Sequence, residues 1–337
     1  MISATILAIE TSCDETAAAV VRDGRLCLGQ ALSSQIDLHA RFGGVVPEIA
    51  SRSHQEVVNP IIDEALEEGG MSLADIDAIA VTQGPGLPGA LMIGMATAKA
   101  LAYGAAKPLI GVNHLEGHVF ANFFDHPDLE PPFVALVVSG GHTLLAYIND
   151  WGTYDVLGQT LDDAAGEAFD KVASFLGLGY PGGPILEDFA SRGDPASITF
   201  PRAMIKTPDY DFSLSGLKTA VLYYAAKKKA ANEELNVENV AAAFQAAVLD
   251  VQVFKTMRAG EEKGVKRIVL AGGVAANREL QARLGEAVKE RGWSLYYPST
   301  PLCTDNAVMI GSAAWPKFKK RDFLKLDAES NPNMTLH

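Results

Sequence analysis

The sequence predicts an α/β protein of two lobes built on a duplicated plan. Three observations carry that prediction. The chain has 337 residues, more than one core usually organises. Hydrophobic residues make up 48% and charged residues 20%, the balance of a well-buried globular chain. The order strand, hairpin, helix, strand, helix, strand also occurs twice along it.

In the first half, residues 5–10, 16–22 and 25–33 read as strands, and Asp23-Gly24 between two apolar runs is a hairpin signal. Pro47-Glu48 opens a helix that runs to about Glu68, where Gly69-Gly70 stops it. Residues 76–82 are a strand, 84–89 a Gly/Pro loop, and about 89–103 a helix of small residues. The apolar run 108–112 is a buried strand that leads into His114-Leu115-Glu116-Gly117-His118. In the second half, strands are expected at 133–138, 143–148 and 154–159, and a helix at about 164–176. Later come a strand at 267–270, the loop 271–277, a helix at 278–291 and a strand at 294–297. A helical insertion spans about 178–263, and a last helix about 305–320. The expected boundary assigns 1–110 to an N-terminal lobe and 111–337, with the histidine motif, to a C-terminal lobe.

The turn at 10–14 matches that at 139–143, and Gly84-Pro85-Gly86 matches Gly272-Gly273. Such turns present backbone N–H groups that can cradle phosphate, with Ser and Thr hydroxyls as further donors. Two such lobes facing a cleft are the layout of the actin, sugar-kinase and Hsp70 (ASKHA) type of nucleotide-binding fold.

Net charge is −13, which argues against a general nucleic-acid binder. Nucleic-acid contact would need local basic patches: Lys227-Lys228-Lys229, or Lys317, Lys319, Lys320, Arg321 and Lys325. Either is also what a solvated helix end looks like. Cys13, Cys27 and Cys303 form no close pair, so free thiols in a reducing compartment are expected. The apolar runs break before membrane-spanning length, and the first residues read as a strand rather than a signal peptide. A cytoplasmic protein with no membrane partner is the expectation.

His114 and His118, four apart on a helix, share one face with Cβ atoms roughly 6 Å apart, within reach of one metal ion. Their place at a helix N-terminus favours neutral rings, the form a ligand needs. Taken alone, the spacing is better explained by two helix-face histidines, one packed and one solvated. A zincin protease needs His-Glu-x-x-His. Here Glu116 stands two residues after His114, about 200° round the helix axis, so the protease base is missing. A kinase or ATPase of the same fold remains a rival, but it has no need of the histidine pair.

Several further motifs follow one another in order. They are Glu10-Thr11-Ser12-Cys13-Asp14-Glu15-Thr16, Gly43-Gly44-Val45-Val46-Pro47-Glu48, the histidine motif and Val138-Ser139-Gly140-Gly141-His142-Thr143. Then come 163–171, Tyr180-Pro181-Gly182-Gly183-Pro184, Ser215-Gly216-Leu217-Lys218-Thr219, 272–277 and Cys303-Thr304-Asp305-Asn306. Over nearly its whole length the chain resembles the bacterial tRNA threonylcarbamoyladenosine transferases, a universal family once named O-sialoglycoprotein endopeptidase. The resemblance implies transfer of a threonylcarbamoyl group from threonylcarbamoyl-AMP to the exocyclic amine of the adenosine 3′ of the anticodon.

It further implies metal ligands His114, His118 and Asp305, for one divalent ion: iron(II) is favoured, with zinc or magnesium as alternatives. A carboxylate is what a His-His pair lacks to complete a facial triad. The adenylate is assigned to Val137, Val138, Ser139, Gly140, Gly141, Asp170, Gly183 and Asn277. Glu187 stands where the family often has Asp. Asp14 is the first candidate to position or deprotonate the attacking amine, and Glu10 the second. As ordinary residues, Asp14 would be a turn Asx, and Asn277 and Asp305 helix caps. Lys218 would meet tRNA phosphate or simply be solvated. The implied partners are tRNA, a non-catalytic paralogue forming a heterodimer, a small P-loop ATPase and a separate synthase of the donor. The helix face Ala90, Met92, Gly94, Met95 and Ala98 is a candidate pairing surface, with core packing as its competing use.

Overall fold

The structure is a computed structural model that describes residues 3–336. Its strands are β1 Thr5–Glu10, β2 Glu15–Arg22, β3 Leu26–Ser34, β4 Ala78–Gly84, β5 Leu109–Asn113, β6 Phe133–Val138, β7 Thr143–Asp150, β8 Thr153–Gln159, β9 Arg267–Ala271 and β10 Ser294–Tyr296. Its helices are α1 Ile36–Ala40, α2 Pro47–Glu68, α3 Pro88–Gly104, α4 His114–Asp125, α5 Ala165–Phe175, α6 Gly182–Ala190, α7 Ser215–Ala230, α8 Val237–Lys263, α9 Arg278–Glu290, α10 Thr300–Cys303 and α11 Ala307–Lys320.

Two compact units result. One takes the chain up to Leu129 and again from Pro298; the other is Glu130–Tyr297. The boundary expected at 110/111 is therefore displaced. The histidine motif and the last helix both belong to the first unit.

The first unit holds a sheet in the order β3-β2-β1-β4-β5, and the second a sheet in the order β10-β9-β6-β7-β8. In each, the first three strands pair antiparallel as two hairpins, and the last two join in parallel. The same fold thus recurs, as the duplicated pattern predicts. At the β2–β3 hairpin, Asp23 and Gly24 take φ of 54° and 69°, the left-handed pair that a tight hairpin turn requires.

β1 is buried along its whole length, because both faces of its sheet are covered. On one face Leu7, Ile9, Ala18, Val20, Ile79 and Val81 pack with Val58, Ile62, Met95 and Ala98 of α2 and α3. The alternate residues face α11, where a Cβ on Gly311 would lie 2.6 Å from Val21 and 3.4 Å from Ala8.

In the second unit α8 packs on β6 and on α6, α7 and α9. The Phe169 and Phe244 rings of α5 and α8 meet edge to face at 5.2 Å. By length and composition α8 could cross a membrane, contrary to the reading of the apolar runs, yet 83% of its apolar window is buried inside the protein. It is used here as a core helix.

Candidate metal centre and glycine turns

β5 ends at Asn113, which caps α4. Its Oδ1 accepts from the Leu115 and Glu116 amides at 2.9 and 3.3 Å. The cap starts the helix at His114 and sets His114 and His118 one turn apart on one face. α11 can approach that helix because residue 117 is glycine: a Cβ there would lie 2.9 Å from Ile310 and 3.2 Å from Met309. Asn306 is the N-cap of α11, its Oδ1 accepting from Met309 N at 2.9 Å. Asp305, just before it, is thus relieved of the capping role and projects to the histidines.

Asp305 Oδ1 lies 3.4 Å from His114 Nε2 and 3.2 Å from His118 Nε2. One ligand atom from each of the three residues falls within 4.8 Å of the others. The two rings sit 4.6 Å apart at 78°. His118 is fully buried, and neither of its ring nitrogens makes a hydrogen bond of proper geometry, despite the approach of Asp305. A buried imidazole left so is costly unless something else binds it.

At the other side of His114, Nδ1 donates to Glu10 Oε2 at 3.1 Å, and Ser12 Oγ stands at the same distance. Glu10 is wholly buried at the end of β1. Thr82 Oγ1 donates to its Oε2 at 2.5 Å, and the Ser12 amide donates to its Oε1. Burial alone would lower the His114 pKa, but the Asp305 and Glu10 carboxylates outweigh it and hold the group well above the ordinary histidine value. Burial raises Asp305, yet His114 and His118 hold it far below the usual carboxylate range. His-His-Asp is a donor set that fits a divalent metal.

Asp14 lies in the β1–β2 turn and is 8% exposed. Next to it, burial and the Asp305 and Asp14 charges push the Glu15 carboxyl up to about 10. The turn is tied to α2 by His54, which the sequence did not single out: its Nε2 donates to Cys13 O at 2.9 Å, and Thr16 Oγ1 bonds its Nδ1 at 2.7 Å. Burial, aided by Asp14, holds the Cys13 thiol well above its usual pKa, so Cys13 is not a thiolate nucleophile.

The second unit carries the glycine turns. Val137 and Val138 end β6, and Ser139 N donates to His142 O at 2.8 Å to close the turn before β7. The N-terminus of α5 rests on this turn: Gly166 N donates to Ser139 O, and a Cβ on Gly166 would lie 2.7 Å from Gly140 Cα. Gly140, Gly141, Gly183 and Gly273 face open space, leaving room for backbone N–H groups to meet a ligand. Asp170 Oδ1 accepts from Gly182 N at 2.7 Å and so orients the turn that contains Gly183. Asn277 caps α9 through Leu280 N and donates to Gln245 Oε1 at 3.0 Å. Glu187 Oε1 accepts from Arg278 N at 2.8 Å, at the same helix start.

Lys218 is part-buried and held by Asp163 at 2.5 Å. Lys227, Lys228 and Lys229 fall in the last turn of α7 and Lys317, Lys319 and Lys320 in that of α11, where they offset the helix dipole, with Arg321 and Lys325 just beyond α11. On α3, Ala90, Gly94, Met95 and Ala98 are buried, and only Met92 of the expected pairing face is exposed.

The family described as TsaD, tRNA N6-adenosine threonylcarbamoyltransferase, matches residues 27–312. The chain belongs to this family. A Clostridium perfringens protein named tRNA N6-adenosine threonylcarbamoyltransferase is 53% identical over 331 residues, covering 98% of each chain. Two solved structures show the fold alone. Component A of (R)-2-hydroxyglutaryl-CoA dehydratase from Acidaminococcus fermentans aligns at TM-score 0.55 and 14% identity, over 94% of this chain and 99% of its own. HypF from T. kodakarensis aligns at 0.64 and 14%, over 96% of this chain and 49% of its own. Both fit the ASKHA architecture of the two sheets.

Proposed function

We propose that this chain transfers a threonylcarbamoyl group from threonylcarbamoyl-AMP to N6 of the adenosine 3′ of the anticodon in tRNA. The observation that carries the reading is the coincidence of a family match over nearly the whole chain with a His-His-Asp group whose two histidines are buried. The amine nitrogen attacks the carbamoyl carbon, the bond from that carbon to the phosphate oxygen breaks, AMP leaves, and the amine gives up a proton. His114, His118 and Asp305 hold a divalent metal, iron(II) in preference to zinc or magnesium. Such an ion supplies Lewis-acid polarisation of the acyl carbonyl.

Asp14 positions the amine and takes its proton. Glu10, wholly buried and fully hydrogen-bonded, is better suited to fixing the His114 tautomer than to meeting substrate. Gly140, Gly141 and Gly183 bind the adenylate through backbone amides, on a turn that Val137, Val138 and Ser139 hold in place against it. Asp170, Glu187 and Asn277 brace those segments and offer their remaining lone pairs and protons to it. The partners are the non-catalytic paralogue, on the exposed side of α3 near Met92 and Tyr103, and the P-loop ATPase. The reaction belongs in the cytoplasm, with its tRNA.

The test is transfer from threonylcarbamoyl-AMP to unmodified tRNA with partners supplied. Product with the wild type and none with His118→Ala is the expected result. No modified adenosine in the wild-type reaction, with tRNA and metal both bound, would overturn the assignment.

A further inference from the structure

The segment after α11 does not simply trail from the fold. Leu324 N donates to Leu109 O at 2.8 Å, an antiparallel bridge on the outer side of β5. The chain then crosses the ends of β4 and β5. Gln83 Nε2 donates to Glu329 O at 2.9 Å, and Asn331 N donates to Gln83 O at 2.8 Å. Gly86 N donates to Pro332 O at 3.2 Å. Finally Asn113 Nδ2 donates to Thr335 O at 2.9 Å, and Leu336 is buried.

Two glycines are explained by this course. A Cβ on Gly84 would fall 1.9 Å from Asn331 O, and one on Gly111 would fall 2.6 Å from Leu324 Cδ1. Only residues without a side chain leave space for the segment to lie flat on the strand ends.

Asn113 is the point where this segment meets the metal helix. Its amide is used at both ends: Oδ1 receives the first amides of α4, and Nδ2 is held by Thr335. The rotamer that caps the helix is therefore fixed from outside it. We infer that residues 324–336 are a structural part of the metal centre, with Asn113 as the positioning residue through which they hold His114 and His118 in register for the ion. The inference rests on the metal reading given above. Supporting groups around a metal ligand typically contribute about 10–100-fold to affinity.

The experiment uses full-length protein loaded with Co(II), whose visible absorbance reports ligand geometry, and follows its release to excess chelator. Two substitutions avoid the ligands. Gly84→Ala collides with Asn331 O and displaces the segment. Asn113→Ser keeps a good helix cap but cannot reach Thr335. Each is expected to speed Co(II) release about 10-fold and to alter the absorbance band, while the metal-free protein keeps its circular dichroism. Release within twofold of wild type for both variants, with the band unchanged, overturns the inference. Wild-type protein that binds no more Co(II) than His118→Ala would sink the metal reading itself, and this inference with it.

Discussion

His114 is gripped at both ring nitrogens, by Glu10 on one side and Asp305 on the other. Glu10→Gln tests the first grip. The neutral amide oxygen still accepts from His114 Nδ1 and Thr82 Oγ1, but the charge is lost and the NH2 group is set against the Ser12 amide donor. Metal affinity should fall about 10–100-fold, read by competition with a chromophoric chelator. His54 offers a second test. Burial lowers its pKa from the ordinary 6.5, and the neutral ring both donates to Cys13 O and accepts from Thr16. A histidine depressed in the folded state stabilises the fold above the unfolded value, and that stability is lost as pH falls from 6.5 through the folded value. His54→Gln should therefore flatten the acid limb of thermal stability below pH 6.5. An unchanged slope in the variant would remove His54 as its source. The histidine pair and Asp305 were readable in the sequence because spacing and motif order both marked them. Glu10 as an orienting group was not, since its role depends on Thr82 and His114, distant in the chain and adjacent only when β1, β4 and β5 pair.

Helix starts position most of the proposed site residues in both units. α4 begins at His114, a proposed ligand, α5 presses on a glycine turn, α9 is capped by Asn277, itself a proposed site residue, and α11 by Asn306, beside Asp305. The sequence marks these starts through Asn, Gly and Pro, so element positions fell within a few residues of those observed. The cap that competed with the ligand reading of Asp305 is made by Asn306 instead, and that one-residue difference leaves the Asp305 carboxylate facing the histidines. Gly166→Ala is the test at this level. The added Cβ meets backbone at Gly140 and Ser139, which cannot swing away as a side chain can. Overpacking of this kind costs about 1–3 kcal/mol, or about 10-fold or more in affinity if borne by the bound turn. Calorimetry should show weakened AMP binding with Co(II) uptake unchanged. AMP affinity equal to wild type would show that α5 does not set the turn.

The duplicated fold was legible in the whole chain because both halves repeat one alternation of strands and helices. The unit boundary was not, because periodicity reveals that α11 is amphipathic but not which sheet it covers. It returns to cover the first sheet, so the first unit is made of two stretches of chain separated by the entire second unit. A folding prediction follows from this connectivity. Val308, Met309 and Ile310 of α11 are all buried, and at about 1.5–3 kcal/mol per side chain they contribute together about 5–9 kcal/mol. A domain has about 5–15 kcal/mol in all, so residues 1–129 alone should not hold a stable sheet. Ser299 N donates to Asp125 Oδ2 at 2.6 Å, which brings the two stretches close near their cut ends. Residues 1–129 joined to 298–337 by a short Gly/Ser linker should therefore melt cooperatively and bind Co(II). Residues 130–297, continuous in sequence, should fold without them. Circular dichroism melts and amide dispersion in NMR spectra decide the matter, and a cooperative melt from 1–129 alone would show that α11 is dispensable to the first unit.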